Sequence, residues 1–127
     1  MARILVVDDE RLSTRMVQVL LESHWHEIII ARDGQEGLAK VKTENLDLII
    51  LDVVMPGMNG LQVCRTLKNN YSYRTIPIII LSTLGKEDDI KAGKEAGADA
   101  YIAKPYDATI LLAQVEELLN KSARKIS

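Results

Sequence analysis

The 127-residue chain contains a single cysteine, Cys64, so it has no partner for an internal disulfide. Two histidines together with that one cysteine make a poor ligand set for zinc. Prolines and glycines are also scarce, at 3 and 7, whereas apolar residues make up 47% of the chain and charged residues 27%. This composition is typical of an ordinary folded globule and excludes a largely disordered chain.

The charge is nearly balanced, with 16 Lys and Arg residues against 18 Asp and Glu residues and a formal net charge of −2. A strongly basic surface is therefore not indicated, and we expect no direct nucleic-acid partner. The first apolar run, residues 4–7, is far too short for the core of a signal peptide or for a membrane span. We expect a cytoplasmic protein of one domain with no membrane contact.

Short apolar runs rich in Ile and Val alternate with segments of helical spacing. Several of these runs lack any polar alternation, which predicts strands buried on both faces of a parallel sheet. The predicted strands are residues 4–7, 27–31, 46–51, 76–81 and 100–103. The predicted helices are residues 11–23, 34–44, 60–69, 87–96 and 107–121, the last with Asp107 as its N-cap.

Five strand–helix units predict an α/β sandwich of three layers, in which a five-stranded parallel sheet lies between two layers of helices. Short right-handed crossovers favour a flavodoxin-like (βα)5 arrangement with strand order 2-1-3-4-5. In this prediction residues 1–121 form the domain, and residues 122–127 form a flexible basic tail.

Acidic, hydroxyl and lysine side chains follow the predicted strands at the carboxyl edge of the sheet, where ligands bind in such folds. Two unit charges ~5 Å apart repel by roughly 3 kcal/mol at an effective dielectric of about 20, so carboxylates that converge there need a cation or raised pKa values. Hard oxygen ligands suit Mg²⁺ better than zinc or copper. Asp8 and Asp9 follow the first strand, Asp52 the third, Ser82 the fourth and Lys104 the fifth.

Other motifs are weaker indicators of function. His24 and His26 flank Trp25 in a segment that we interpret as a surface turn, with Trp25 packed on the sheet edge. Two pairs of closely spaced glycines lack the pattern of a dinucleotide-binding loop. Cys64 stands at helical spacing with its apolar neighbours, which predicts a position in the core.

The residues at the predicted strand ends resemble the receiver domain of two-component response regulators, including its chemotaxis-type single-domain members. The resemblance implies a phosphorylation-switched signalling domain and not an enzyme with a separate substrate, although such a domain catalyses its own phosphorylation and slow dephosphorylation. The matching stretches cover nearly the whole chain and are Ile4-Leu-Val-Val-Asp-Asp9, Leu51-Asp-Val-Val-Met-Pro-Gly-Met-Asn-Gly60, Ile78-Ile-Ile-Leu-Ser82 and Gly97-Ala-Asp-Ala-Tyr-Ile-Ala-Lys-Pro105.

The resemblance also implies a role for each site residue. Asp52 is the implied phosphoacceptor, and Lys104 and Ser82 are implied to bind the transferring phosphoryl group. Ser82 and Tyr101 are the implied switch pair, and Mg²⁺ is the implied cofactor. The Mg²⁺ ligands implied by the resemblance are Asp8, Asp9, Asp52 and the backbone carbonyl of Val54.

The implied phosphodonor is a sensor histidine kinase or a phosphotransfer domain, and the implied target is a downstream effector or output domain that the sequence does not identify. The resemblance further implies a cis peptide bond between Lys104 and Pro105. Two alternatives stay open. A hydrolase of the haloacid-dehalogenase type also forms an aspartyl phosphate, but it needs a second acid where this chain has Val54. A phosphorylation-independent binding module would be favoured by loss of Asp52 or Lys104, and both are present.

Overall fold

The computed structural model describes residues 1–126, with side chains described as far as Ser122. Strands and helices alternate along this part of the chain, as the apolar pattern predicts. The strands are β1 (Arg3–Val7), β2 (Glu27–Ala31), β3 (Leu48–Leu51), β4 (Ile78–Ser82) and β5 (Ala100–Ala103). The helices are α1 (Arg11–Glu22), α2 (Gly34–Thr43), α3 (Gly60–Lys68), α4 (Glu87–Glu95) and α5 (Ala108–Ile126).

The strands form one parallel sheet with the order β2-β1-β3-β4-β5, which confirms the predicted topology. Its register aligns the end of β1 with that of β3 and the end of β4 with that of β5, while β4 extends two residues beyond its pairing with the end of β3. Val7 pairs with Leu51, Leu51 with Ile80, and Ser82 with Ala103. Because the strands are parallel and in register, the residues that follow them emerge at the same edge of the sheet.

Helices cover both faces of the sheet. One face packs against α1 and α5 through residues such as Val17 and Leu111. The opposite face packs against α2 and α3 through residues such as Val41 and Cys64, so Cys64 lies in the core as predicted. All residues of β3 and β4 are buried, because each central strand is covered on both sides.

Strands β3 and β4 each begin two residues later than the predicted ranges 46–51 and 76–81. Leu46 is apolar because it packs into the core, where it is 8% exposed, although it lies outside the strand. Pro77 has no N–H group to donate within the sheet. The Ile76 N–H bonds to the Tyr73 carbonyl in the preceding turn, at 3.1 Å. An apolar run indicates buried residues. Here the buried residues extend beyond those that pair within the sheet.

The segment between α1 and β2 departs from the prediction. Trp25 is 81% exposed and has a left-handed φ of 68°, so the predicted packing of its side chain on the sheet edge is wrong. His26 is the buried residue instead. Its Nδ1 accepts a hydrogen bond from the Ala2 N–H at 3.2 Å, and its Nε2 lies 2.9 Å from Glu116 Oε1. The tight turn that closes α1 places Trp25 outside and His26 inside.

Helix α5 begins after Asp107, whose carboxylate accepts a hydrogen bond from the Thr109 N–H at 2.7 Å and caps the helix as predicted. The helix extends to Ile126 and includes most of segment 122–127. The side chains from residue 123 onward lie outside the described residues, so the flexibility of that segment stays a prediction. In the part of the chain that the structure describes, every helix is too short or too polar to cross a membrane.

Candidate functional site

Two carboxylates and one ammonium group meet at the carboxyl edge of the sheet. Asp8 directly follows β1, Asp52 directly follows β3, and Lys104 directly follows β5. The Lys104 Nζ lies 2.8 Å from Asp8 Oδ2 and 3.1 Å from Asp52 Oδ2. The side chains of Lys104, Asp8 and Asp52 are only 13%, 6% and 10% exposed, so these interactions are poorly screened by water. Lys104 thereby joins Asp52 and Asp8, which lie 52 and 96 residues away from it along the chain.

The other oxygen of each carboxylate is held by its own backbone turn. Asp8 Oδ1 accepts a hydrogen bond from the Glu10 N–H at 3.0 Å, and Asp52 Oδ1 accepts one from the Val54 N–H at 3.2 Å. Asp commonly makes such bonds to the backbone two residues further on. Each carboxylate is therefore fixed by one local and one distant donor, which orients it before any ligand arrives.

The charge of Lys104 is stabilised by this arrangement. Burial alone lowers the pKa of Lys104, but the hydrogen bond to Asp8 and the negative charges of Asp52 and Asp8 outweigh burial and raise the pKa above its ordinary value. The Lys104 N–H also donates to the Ser82 carbonyl at 2.8 Å, which ties the end of β5 to the end of β4. The peptide bond between Lys104 and Pro105 is cis, as the family resemblance implies.

Ser82 and Tyr101 are connected through the backbone of Leu84. Ser82 is fully buried, and its Oγ accepts a hydrogen bond from the Leu84 N–H at 3.2 Å. The Tyr101 hydroxyl donates to the Leu84 carbonyl. Burial and, secondarily, the negative charge of Asp89 raise the pKa of Tyr101 above its ordinary value. The two residues of the implied switch pair thus bond to opposite sides of one loop residue.

Asp9 lies apart from the cluster of Asp8, Asp52 and Lys104. It is exposed at the rim, whereas its neighbour Asp8 is buried. Within the described residues, no three side chains of His, Cys, Asp or Glu are placed to hold a metal ion together. The donor chemistry nevertheless fits Mg²⁺, because Asp8 and Asp52 present hard oxygens that already converge on one cation. The roles of Asp9 and of the Val54 carbonyl as ligands stay predictions.

Sequence reasoning placed Asp8, Asp52, Ser82 and Lys104 at one edge, and the structure brings them there. It missed the connecting role of Leu84, which interacts through its main chain. Main-chain N–H and C=O groups occur at nearly every residue, so no residue type signals this function.

The fold and the site define a doubly wound α/β domain with a charged edge, formed by Asp8, Asp52 and Lys104, at the carboxyl ends of its strands. The family model described as the response regulator receiver domain matches residues 4–116. The chain therefore belongs to the response regulator receiver domain family. Because family membership assigns it to signalling proteins, the hydrolase alternative loses its support.

The chain is similar to proteins of that family over nearly all its length. It is 39% identical to Protein PilH of Pseudomonas aeruginosa, covering 94% of this chain and 98% of PilH. It is 38% identical to Response regulator ArlR of Staphylococcus saprophyticus, covering 98% of this chain but 56% of ArlR. The chain thus spans about half the length of ArlR and almost the whole of PilH.

Solved structures show the same fold. The crystal structure of a response regulator receiver domain protein (CheY-like) from Methanospirillum hungatei superposes with a TM-score of 0.91 at 29% identity, covering 98% of both chains. The agreement extends over the whole sandwich, including the strand order that places the charged edge.

Proposed function

We propose that this cytoplasmic receiver accepts a phosphoryl group on Asp52 from a phosphohistidine of a sensor histidine kinase or phosphotransfer domain, in a Mg²⁺-dependent reaction. Phosphorylation then changes the face that the domain presents to a downstream effector. The observation that carries the proposal is the position of the Lys104 ammonium, 3.1 Å from Asp52 and 2.8 Å from Asp8. A buried cation beside an oriented carboxylate is suited to transferring an anionic group.

In the transfer step, an Asp52 oxygen forms a bond to phosphorus while the bond from phosphorus to the donor imidazole nitrogen breaks. The electron pair of that bond leaves with the imidazole, and Asp52 becomes an acyl phosphate. Lys104 would bind a phosphoryl oxygen in place of Asp52 Oδ2, and the Ser82 hydroxyl would donate to another. Bound Mg²⁺, held by Asp8, Asp9, Asp52 and the Val54 carbonyl, would supply further positive charge to these oxygens.

The site of phosphorylation is tested by incubating the protein with acetyl phosphate and Mg²⁺ and measuring its intact mass. We expect the wild type to gain one phosphoryl group and Asp52→Ala to gain none. Asp88→Ala, which removes an exposed carboxylate from α4, is the matched control and should react like the wild type. An Asp52→Ala protein that is fully phosphorylated would disprove the assignment. A wild type that gains no mass would favour the phosphorylation-independent binding module.

The metal is tested by melting the protein with and without millimolar Mg²⁺. Binding to the native state alone stabilises it by RT ln(1 + [L]/Kd), so the wild type should melt at a higher temperature with Mg²⁺. Asp9→Asn should weaken this shift, because one proposed ligand loses its charge. Equal shifts in the two proteins would argue against Asp9 as a ligand.

An apolar groove beside Lys104 supports a protein as the phosphodonor. It lies between α1 and the segment after β5, and its lining includes Leu12, Met16, Tyr106 and Lys104. Leu12 and Met16 stand four residues apart on one face of α1 and are 67% and 57% exposed. Exposed apolar side chains at this spacing are typical of a surface that packs against a partner helix. The phosphohistidine of a donor helix docked here would lie close to the charged edge.

The groove is tested by comparing a protein donor with a small one. Met16→Glu should slow phosphoryl transfer from a phosphorylated histidine kinase or phosphotransfer domain, while phosphorylation by acetyl phosphate stays unchanged. Val19→Glu is the matched control, since Val19 is 53% exposed on the same helix but does not line the groove. Equal slowing with both donors would show that Met16 acts on the site and not on docking.

A further inference from the structure

The ring of Tyr101 occupies a space beneath helix α4. Tyr101 lies on β5, where it pairs with Ile80 of β4, and its hydroxyl donates to the Leu84 carbonyl. The ring reaches α4 at Gly93, a buried position inside that nine-residue helix. A Cβ atom built on Gly93 would lie 2.6 Å from Tyr101 Cδ2 and 2.8 Å from Cε2. It would also lie 3.1 Å from Ile80 Cδ1.

Real Cβ atoms almost never approach another heavy atom so closely, so any side chain at position 93 forces a displacement. The Tyr101 ring turns about two side-chain torsions, whereas the α4 backbone is held by its helical hydrogen bonds. The ring is therefore the part that moves. Glycine is also a poor residue for a helix interior, and the space that it leaves for the ring accounts for its presence in α4.

We infer that Gly93 is the positioning residue that admits the Tyr101 ring beneath α4, and that a side chain at position 93 expels the ring and breaks its hydrogen bond to Leu84. The consequence for signalling rests on the proposed function. Because Leu84 also donates to the Ser82 hydroxyl, expulsion of the ring uncouples the phosphorylation site from the surface formed by α4 and β5.

The first test reads the position of the ring without any phosphodonor. NMR spectra of protein labelled at its four tyrosines identify the Tyr101 ring signals through a Tyr101→Phe variant. In Gly93→Ala these signals should move to the positions of an exposed ring, and the raised pKa of the Tyr101 hydroxyl should return toward its ordinary value. Ala92→Gly, the reverse change at the neighbouring position of α4, is the control and should leave Tyr101 unchanged. Tyr101 signals in Gly93→Ala that match the wild type would overturn the inference.

A second test uses melting temperatures and keeps the inference falsifiable if Gly93→Ala folds poorly. In the wild-type background the added methyl group meets the ring, so Gly93→Ala should lower the melting temperature. In a Tyr101→Ala background the ring is gone and only the 3.1 Å approach to Ile80 Cδ1 remains. The same substitution should then lower the melting temperature much less, or raise it, because alanine is the better helix former. An equal decrease in both backgrounds would show that the ring is not what position 93 contacts.

The signalling consequence is tested with acetyl phosphate and Mg²⁺. Gly93→Ala should gain the phosphoryl group like the wild type, because residue 93 has no part in the chemistry at Asp52. The amide NMR signals of α4 should then shift on phosphorylation in the wild type and remain in place in Gly93→Ala. Equal α4 shifts in both proteins would disprove the uncoupling. A wild type that takes no phosphate would disprove the proposed function, while the ring position is decided separately by the first two tests.

Discussion

Lys104 interacts with two buried carboxylates at once, so its removal leaves both of them without their cation. Removing one partner of a buried ion pair is far more costly than removing an exposed one. We expect Lys104→Met to lower the free energy of unfolding by about 3–5 kcal/mol in urea denaturation at neutral pH. Lys121→Met is the matched control, since Lys121 pairs with Glu117 at an exposed site, and it should change stability by less than about 1 kcal/mol.

A second variant separates charge from packing in this prediction. Asp8→Asn in the Lys104→Met background removes one of the two unpaired negative charges, and part of the lost stability should return. If the double variant is as unstable as the sum of the two single variants, the Lys104 stem and not its charge is what stabilises the site.

Val54 and Leu84 stand two residues after Asp52, the proposed phosphoacceptor, and two residues after Ser82. The two residues are 54% and 37% exposed, so they face solvent at the rim and do not close the core. Neither side chain can hold a water molecule in line with a phosphoryl group, and such positioning is most of the catalysis in phosphoryl transfer. We therefore expect a long-lived phosphorylated state.

The lifetime is tested with a Val54→Asn/Leu84→Glu variant, whose two polar side chains can orient water. Loss of phosphate in Mg²⁺ without any phosphatase should accelerate by about tenfold for each ~1.4 kcal/mol by which the barrier falls. Val54→Leu/Leu84→Met, which keeps both positions apolar, is the control. A polar variant that loses phosphate no faster than this control would show that other groups set the lifetime.

At the scale of elements, helix α3 begins directly against the backbone of Asp52, the proposed phosphoacceptor. The Gly60 N–H donates to the Val53 carbonyl at 3.0 Å, and a Cβ atom at position 60 would lie 2.0 Å from the Asp52 carbonyl oxygen. Asn59 forms a capping box with Gln62, which fixes where the helix starts. The first turn of α3 therefore packs directly against the backbone of Asp52 and holds it in place.

We expect Gly60→Ala to displace the Asp52 backbone, to destabilise the fold by about 3 kcal/mol and to slow phosphorylation by acetyl phosphate. Gly57→Ala, in the loop that precedes α3, is the matched control. Gly57 has a φ of 75° but nothing within 4 Å of an added Cβ, so its substitution should cost only about 1–2 kcal/mol of backbone strain. Gly57→Ala should be phosphorylated at the wild-type rate. Equal slowing in both variants would contradict the contact between position 60 and the Asp52 backbone as the cause.

At the scale of the whole molecule, several groups have pKa values raised above their ordinary values. Burial raises the pKa of the Cys64 thiol to about 11, and it raises the pKa values of Tyr101 and Tyr106. The carboxylates of Asp8 and Asp52 raise the pKa of Lys104. Each group therefore keeps its proton to higher pH in the folded protein than in the unfolded chain. Because the native state then binds more protons, the free energy of unfolding must fall as pH rises.

The stabilising contribution of these groups is complete below their unfolded pKa values and is lost as pH rises through the folded ones, so we expect the decline to begin near pH 9. Urea denaturation at a series of pH values between 8 and 11 measures the slope. Cys64→Ala and Tyr101→Phe should each flatten the decline. Tyr71→Phe, at an exposed tyrosine, is the control for Tyr101→Phe and should leave the decline unchanged. A slope identical in all these proteins would exclude the buried groups as its cause.

The amino-acid sequence by itself determined the architecture and most of the charged edge. Apolar runs without alternation occur because both faces of a parallel sheet are buried, and the ends of parallel strands meet at one edge. Asp8, Asp52, Ser82 and Lys104 could therefore be placed together although up to 96 residues separate them. The strand order followed as well, because short right-handed crossovers leave few alternatives.

The tertiary structure alone decided which groups are in contact. It left Asp9 exposed beside the buried Asp8, buried His26 against a helix 90 residues away, and placed Trp25 in solvent. It also set the space at Gly93 that the Tyr101 ring fills. Such contacts depend on strand register, on ångström-scale packing between distant segments and on backbone groups that nearly all residues share. A pattern of residue types records which side chains are buried, but it does not record which neighbour each one meets.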